Sequence, residues 1–179
     1  MKNNQLRVAD IRKNNIKITR NSILYCWWFK VSCFNILLEK LKDEIDFSRI
    51  KTKTIEGDIY GLLYAGKAKN GNERLVKYHI LDYSNFHNKG VLNGRLSSLR
   101  TTLCGLLDKP MSKNKNYIND FIDTNCIVSW MEVCGDELSF LERDFITSNY
   151  LPLNYQHTKN ILTKSHREIL RTCKAKMKF

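Results

Sequence analysis

Residues 22–29, SILYCWWF, are apolar on both alternating faces. A strand with one wet face alternates apolar and polar residues, so this run reads as a strand covered on both sides and central in its sheet. A second run of the same kind, IYGLLYA at 59–65, follows the turn Glu56-Gly57-Asp58 and is expected to end at Gly66. A third, CIVSWMEV, occupies 126–133.

Between these runs the spacing becomes helical. Residues 34–47 place Ile36, Leu37, Lys40, Leu41, Glu44 and Ile45 at helical intervals, mostly apolar. Residues 72–80 read as a helix, 81–91 as a polar loop, and 92–107 as a helix with Leu92, Leu96, Leu99, Leu103, Leu106 and Leu107 on one stripe. A loop follows at 109–116, then a short helix at 117–123, a helix at 136–149 stopped by Pro152, and a basic helix over roughly 160–176. The order β, α, β, α, α, β, α predicts an α/β (α+β) sandwich, a small mixed sheet flanked by helices.

The net charge of +12 is unevenly placed. Residues 1–20 balance to +5 and residues 159–179 to +6, while the body, 21–158, balances to +1. The charge therefore predicts a basic N-terminal arm and a basic C-terminal tail, suited to neutralising phosphates. No stretch approaches the ~18 apolar residues of a membrane span, and the first residues have no apolar run of the signal-peptide kind. A cytoplasmic protein is expected. The six cysteines form no CxxC pair and sit mostly in apolar runs, as reduced core thiols do.

A few residues do not suit a structural role. Leu138, Leu141, Phe145 and Ile146 define one face of their helix, and Glu142 lies within that arc. A carboxylate on an apolar face needs a cation or a metal. Tyr25 and Tyr64 sit inside covered strands, where each hydroxyl must find a partner. Arg74 and Tyr78, four residues apart, share a helix face. His79, beside the helix end, is a weaker candidate base.

Read together, these residues resemble the GIY-YIG nucleases. The run Tyr64-Ala65-Gly66-Lys67-Ala68-Lys69-Asn70 is similar to that of the bacterial excision-repair nuclease domain, with Arg74 and Tyr78 at the family's offsets. Glu142 and Pro152-Leu153-Asn154 match the family's helix Glu and later Asn. The other half motif falls at Leu24-Tyr25, with Leu24 in the middle position and an insertion at about 30–58 before the second motif strand. Stand-alone bacterial members of the family show similar counterparts of Tyr25-Cys26-Trp27-Trp28-Phe29, of the 97–107 helix, of Trp130-Met131 and of Leu151-Pro152-Leu153-Asn154.

The resemblance implies phosphodiester hydrolysis in double-stranded DNA. Glu142 would hold a single Mg²⁺ or Mn²⁺, and Arg74 would stabilise the phosphate. Tyr25 would position or activate the water, Tyr64 and Tyr78 would orient phosphate and water, and Asn154 would support the site. Lys67, Lys69, Arg95, Arg100, Lys164, Arg167 and Arg171 are the expected DNA contacts. A sequence-specific restriction-type enzyme, which would admit a homodimer, stands against a repair or mobile-element nuclease and against an inactive nucleic-acid-binding module.

Overall fold

The computed structural model describes residues 4–81, 98–110 and 113–176. Five strands form one sheet: β1 (Asn4–Arg7), β2 (Ile23–Lys30), β3 (Thr52–Ile55), β4 (Asp58–Ala68) and β5 (Cys126–Glu132), in the order β1-β5-β2-β4-β3. The doubly apolar β2 is the middle strand, as its pattern requires. The expected class, a small sheet flanked by helices, is what forms, but every pairing is antiparallel rather than mixed. The two strands that the sequence did not announce, β1 and β3, are four-residue edge strands that carry no two-sided apolar signal.

Around the sheet lie α1 (Val8–Lys13), α2 (Phe34–Leu37), α3 (Asn72–Ile80), α4 (Ser98–Leu106), α5 (Lys115–Asn125), α6 (Leu138–Thr147) and α7 (Lys164–Lys176). One face of the sheet carries the main core, in which Tyr25, Trp27, Leu75, Leu103, Ile118 and Leu170 are buried. On the other face, Ile146 and Phe145 of α6 pack with Leu62, Ala65, Cys26 and Trp28. Leu92, Leu96 and the 82–91 part of the polar loop lie outside the described residues.

Three local expectations are corrected. Residues 34–47 do not form one helix: α2 is a single turn between 3₁₀ turns at Val31–Cys33 and Glu39–Leu41. Ile36 is 60% exposed, while Phe34, Leu37, Leu38 and Leu41 are buried. So short a segment takes its path from tertiary packing rather than from helix propensity. Gly66 does not end β4, which runs on to Ala68. The basic N-terminal segment is also built into the fold, as β1 and α1, rather than left as an arm, while the tail forms the expected helix. Arg7 is the last residue of β1, Val8 and Ile11 of α1 are fully buried, and α7 buries His166, Leu170 and Cys173.

The β3–β4 hairpin turns through Glu56 and Gly57, both at positive φ (51° and 84°), between the paired residues Ile55 and Asp58. Two positive φ values in a two-residue loop match the strand twist, and glycine takes the second at no steric cost. The pairing of β3 reaches only to Gly61, so the longer β4 has an open edge from Leu62 onward. That edge is where the functional residues gather.

Candidate active site

An open strand edge presents backbone groups that need partners. Here Lys51, just before β3, and the segment after α6 supply them. Leu62 N–H donates to Lys51 O at 2.9 Å, and Leu153 N–H donates to Leu63 O at 3.0 Å. Next along the edge, the Asn154 side chain takes the place of a strand. Its Oδ1 accepts from Ala65 N–H and its Nδ2 donates to Ala65 O, both at 2.9 Å. Asn154 is 4% exposed, so these bonds fix β4 between Tyr64 and Gly66 from the side that the sheet leaves open.

Tyr25 on β2 is directly opposite Gly66 on β4, while Trp27 is opposite Tyr64. The two tyrosines thus stand on one face of adjacent strands, offset diagonally by two residues. The Tyr25 ring lies across Gly66: a Cβ there would meet its hydroxyl at 2.7 Å and its Cζ at 2.9 Å. Glycine is needed at that position because the phenol occupies the space a side chain would take.

The Tyr25 hydroxyl is 2.7 Å from Nε2 of His79, and both residues are essentially unexposed. Burial raises the Tyr25 pKa well above its usual value, and the neighbouring Tyr64 adds to this, against the opposing pull of Arg74. Burial, with Arg74 and Arg100 nearby, holds His79 well below the usual histidine range. At neutral pH these are two neutral groups sharing one hydrogen bond. His79 reaches this place because α3 is wound as a π-helix, bonded i to i+5. At about 100° per residue an α-helix would turn His79 about 140° away from Arg74, whereas the π winding makes i and i+5 neighbours. Under α spacing Arg74 shares its face with Tyr78 and not with His79, which is why the sequence alone makes His79 the weaker candidate.

Tyr64 OH lies 2.9 Å from Ser98 Oγ at the start of α4. Burial raises its pKa, while Ser98 and Arg74 oppose the rise. Tyr64, Ala65, Arg74, Ser98, Glu142, Asn154 and Lys174 line one cavity of about 310 Å³. Two further cavities share its walls. One, about 380 Å³, is reached past Arg74 and lined by Lys67, Lys69, Glu73 and Tyr78. The other, about 690 Å³, shares Tyr155 and Gln156 and is lined by Lys159, Asn160 and Arg167. The Glu142 cavity thus adjoins two further cavities, each with basic side chains in its wall.

The Glu142 side chain is only 13% exposed, and its Oε2 is paired with Lys67 Nζ at 2.9 Å. Lys67 is steadied by Ser139 Oγ at 3.0 Å. The carboxylate on an apolar face therefore has its cation. Among the described residues no three His, Cys, Asp or Glu side chains cluster as a metal cage. A lone, mostly buried carboxylate beside an open polar cavity suits a largely hydrated hard cation, which commonly uses one carboxylate plus water and phosphate oxygens. The donor set fits Mg²⁺ or Mn²⁺ and not a fully protein-ligated zinc.

The structure brings Tyr64, Arg74, Glu142 and Asn154 to one cavity, with Tyr25 packed behind it. Tyr78 is set apart: it lines the neighbouring cavity and its hydroxyl reaches Glu73 at 3.4 Å. Of the expected DNA contacts, Lys69 and Lys164 are exposed, Arg167 lines the cavity of about 690 Å³, and Arg171 is ion-paired with Glu168 at 2.6 Å. Arg95 lies outside the described residues. Arg100 is a correction. It is 2% exposed and donates to His79 O at 3.0 Å and to Asn119 Oδ1 at 2.9 Å, so it braces α3 and α5 from within and cannot reach a phosphate. Every residue of α4 from Leu99 to Leu106 is buried, so Arg100 has no solvent face to turn to; its place three residues before Leu103, beside the leucine stripe, could have suggested this. Ser98, in the run at 97–107 that resembles the family's helix, and Lys174, in the expected basic helix, both lie on the cavity wall but were not among the expected site residues.

The family model for the GIY-YIG catalytic domain matches residues 23–176. No curated protein and no solved structure matches the chain.

Proposed function

The chain belongs to the GIY-YIG nuclease family, and from that premise we propose that it is a divalent-metal-dependent endonuclease acting on double-stranded DNA. The family makes it a nuclease, a hydrolase of phosphodiester bonds. The observation that carries the finer reading is the convergence of Tyr64, Arg74, Glu142 and Asn154 on one cavity at the open edge of β4. Of the two cavities that adjoin it, one is lined by Lys67 and Lys69 and the other by Lys159 and Arg167.

Hydrolysis needs a positioned water, stabilisation of charge on the phosphate, and help for the leaving oxygen. Arg74, at the junction of two cavities, offers a planar fork of donors to phosphate oxygens. Tyr64 presents the phenol that reaches the cavity, and its bond to Ser98 gives its proton a defined partner. Tyr25 is neutral and buried, so it serves as a positioning group that holds Tyr64 and Arg74 in place rather than as the base. Asn154 acts through the backbone, keeping the edge of β4 rigid. Glu142 would hold Mg²⁺ or Mn²⁺, releasing Lys67 to the substrate. That ion, when bound, supplies Lewis acidity toward the phosphate and the leaving oxygen.

A restriction-type role with its own sequence specificity is the reading we favour over a repair or mobile-element one, because the basic residues that flank the Glu142 cavity belong to the same fold as the residues that line it. The test is incubation with mixed plasmid and phage DNA with and without Mg²⁺, followed by mapping of the ends. Glu142→Gln should bind DNA as the wild type does and fail to cut it. Discrete, reproducible ends support restriction-type specificity, and random nicking removes it. Full cleavage by Glu142→Gln in Mg²⁺ buffer would overturn the site.

A further inference from the structure

The wall of the Glu142 cavity includes a residue that the family motif does not contain. Lys174, on α7, lines it together with Tyr64, Arg74, Ser98 and Asn154. The helix that brings it there is held firmly. His166 Nε2 lies 2.8 Å from Pro152 O, Leu170 is fully buried, and the α7 backbone presses on Gly105 of α4, where a Cβ would lie 2.5 Å from Cys173 O. At the residue next to Lys174 the α7 backbone thus packs directly onto α4. An alanine in place of Gly105 would force the two helices apart.

Lys174 itself is poorly served by the protein. It is half-buried, and among the described residues no carboxylate lies within ion-pair distance of it. Its partner is the Tyr155 ring, 5.5 Å from Nζ. Lys67, by contrast, already has Glu142. A partly desolvated ammonium on the wall of a polar cavity whose one carboxylate, Glu142, is already paired with Lys67 is the complement of an anion that arrives from outside.

We propose that Lys174 is a substrate-contacting residue of this nuclease: its ammonium binds a phosphate of the nucleic acid inside the cleavage cavity, as a second cation beside Arg74. The inference rests on reading the cavity as the cleavage site. Burial lowers the Lys174 pKa to about 8, as expected of a cation waiting for its partner. A bound phosphate would restore it. The role of α7 is then to complete the site, in contrast to the exposed Lys164 and Arg171 on the same helix, which face solvent.

The experiment compares wild type, Lys174→Met and Lys174→Arg. Cleavage of plasmid DNA is followed in Mg²⁺. The acylation rate of each lysine by acetic anhydride is read by mass spectrometry in EDTA, with and without a duplex oligonucleotide. Lys174→Met should lower kcat/KM about 10- to 100-fold, the worth of one charge-assisted hydrogen bond, and Lys174→Arg should recover most of it. Thermal stability of Lys174→Met should equal or exceed that of wild type, since an unpaired buried charge is removed. In the wild type, duplex should protect Lys174 from acylation. If wild type cuts and Lys174→Met cuts equally well, the proposal is overturned while the nuclease site stands. Unchanged acylation of Lys174 in saturating duplex overturns it as well. If the wild type cuts nothing yet duplex protects Lys174, the phosphate contact holds and the catalytic reading fails.

Discussion

Tyr25→Phe removes a single oxygen from a side chain that is 1% exposed, and its partner His79 Nε2, 2.7 Å away, is fully buried. The phenyl ring still fills the space, so no water can take the place of the hydroxyl. Nε2 then loses its hydrogen bond inside the core, at a cost of about 1–3 kcal/mol. For a chain of 179 residues, about 2 kcal/mol lowers Tm by roughly 4–8 °C. Cleavage should also fall, by about 10²-fold, because the hydroxyl keeps the reacting groups aligned. Stability alone therefore does not separate a structural tyrosine from a functional one here, because the same oxygen serves both ends. A double-mutant cycle does. His79→Leu alone and Tyr25→Phe/His79→Leu together, followed by urea unfolding, should give a coupling of about 0.5–3 kcal/mol. The pH dependence supplies a second readout. Folded His79 binds its proton less readily than the unfolded chain does, whose histidines titrate near pH ~6.5. Its contribution is therefore present above that pH and lost as pH falls below it. Wild type should lose stability more steeply than His79→Leu between about pH 6.5 and 5. A Tyr25→Phe protein with unchanged unfolding midpoint and unchanged single-turnover rate would refute both the buried pairing and the role assigned to it.

Asn154→Ala leaves the N–H and O of Ala65 without partners at the edge of β4 and should cost about 2–4 kcal/mol, at ~1–2 kcal/mol for each group. Hydrogen exchange at the Ala65 amide checks it directly, and wild-type protection there would show that another group closes the edge. Arg100→Met should lower stability by about 1.5–3 kcal/mol through two lost charge-assisted bonds, yet leave the salt dependence of DNA binding unchanged. Lys69→Ala should instead flatten that dependence by about 0.9 in slope; a flattened slope in Arg100→Met would contradict its inward placement.

The parts of this protein legible from sequence are those set by near neighbours in the chain. Two-sided apolar runs identified β2, β4 and β5 and placed β2 at the centre, because a strand covered on both faces needs apolar residues at every position. The Glu142 anomaly was visible because a helix's period fixes which residues share a face. Motif spacing gave the family, and with it Tyr64, Arg74 and Asn154. What only the tertiary structure decided depends on register and on packing between distant segments. The open edge of β4 exists because its pairing with β3 stops at Gly61, and the pairing of Asn154 with Ala65 spans a gap that no local pattern records. His79 faces Tyr25 only because α3 is π-wound, a departure that propensity cannot signal. Lys174 enters the cavity because α7 is pressed onto Gly105. To composition, α7 is merely basic; its buried Leu170 and Cys173 make it part of the core. Charge can be counted along a chain, but where a charge loses water is set by what folds against it.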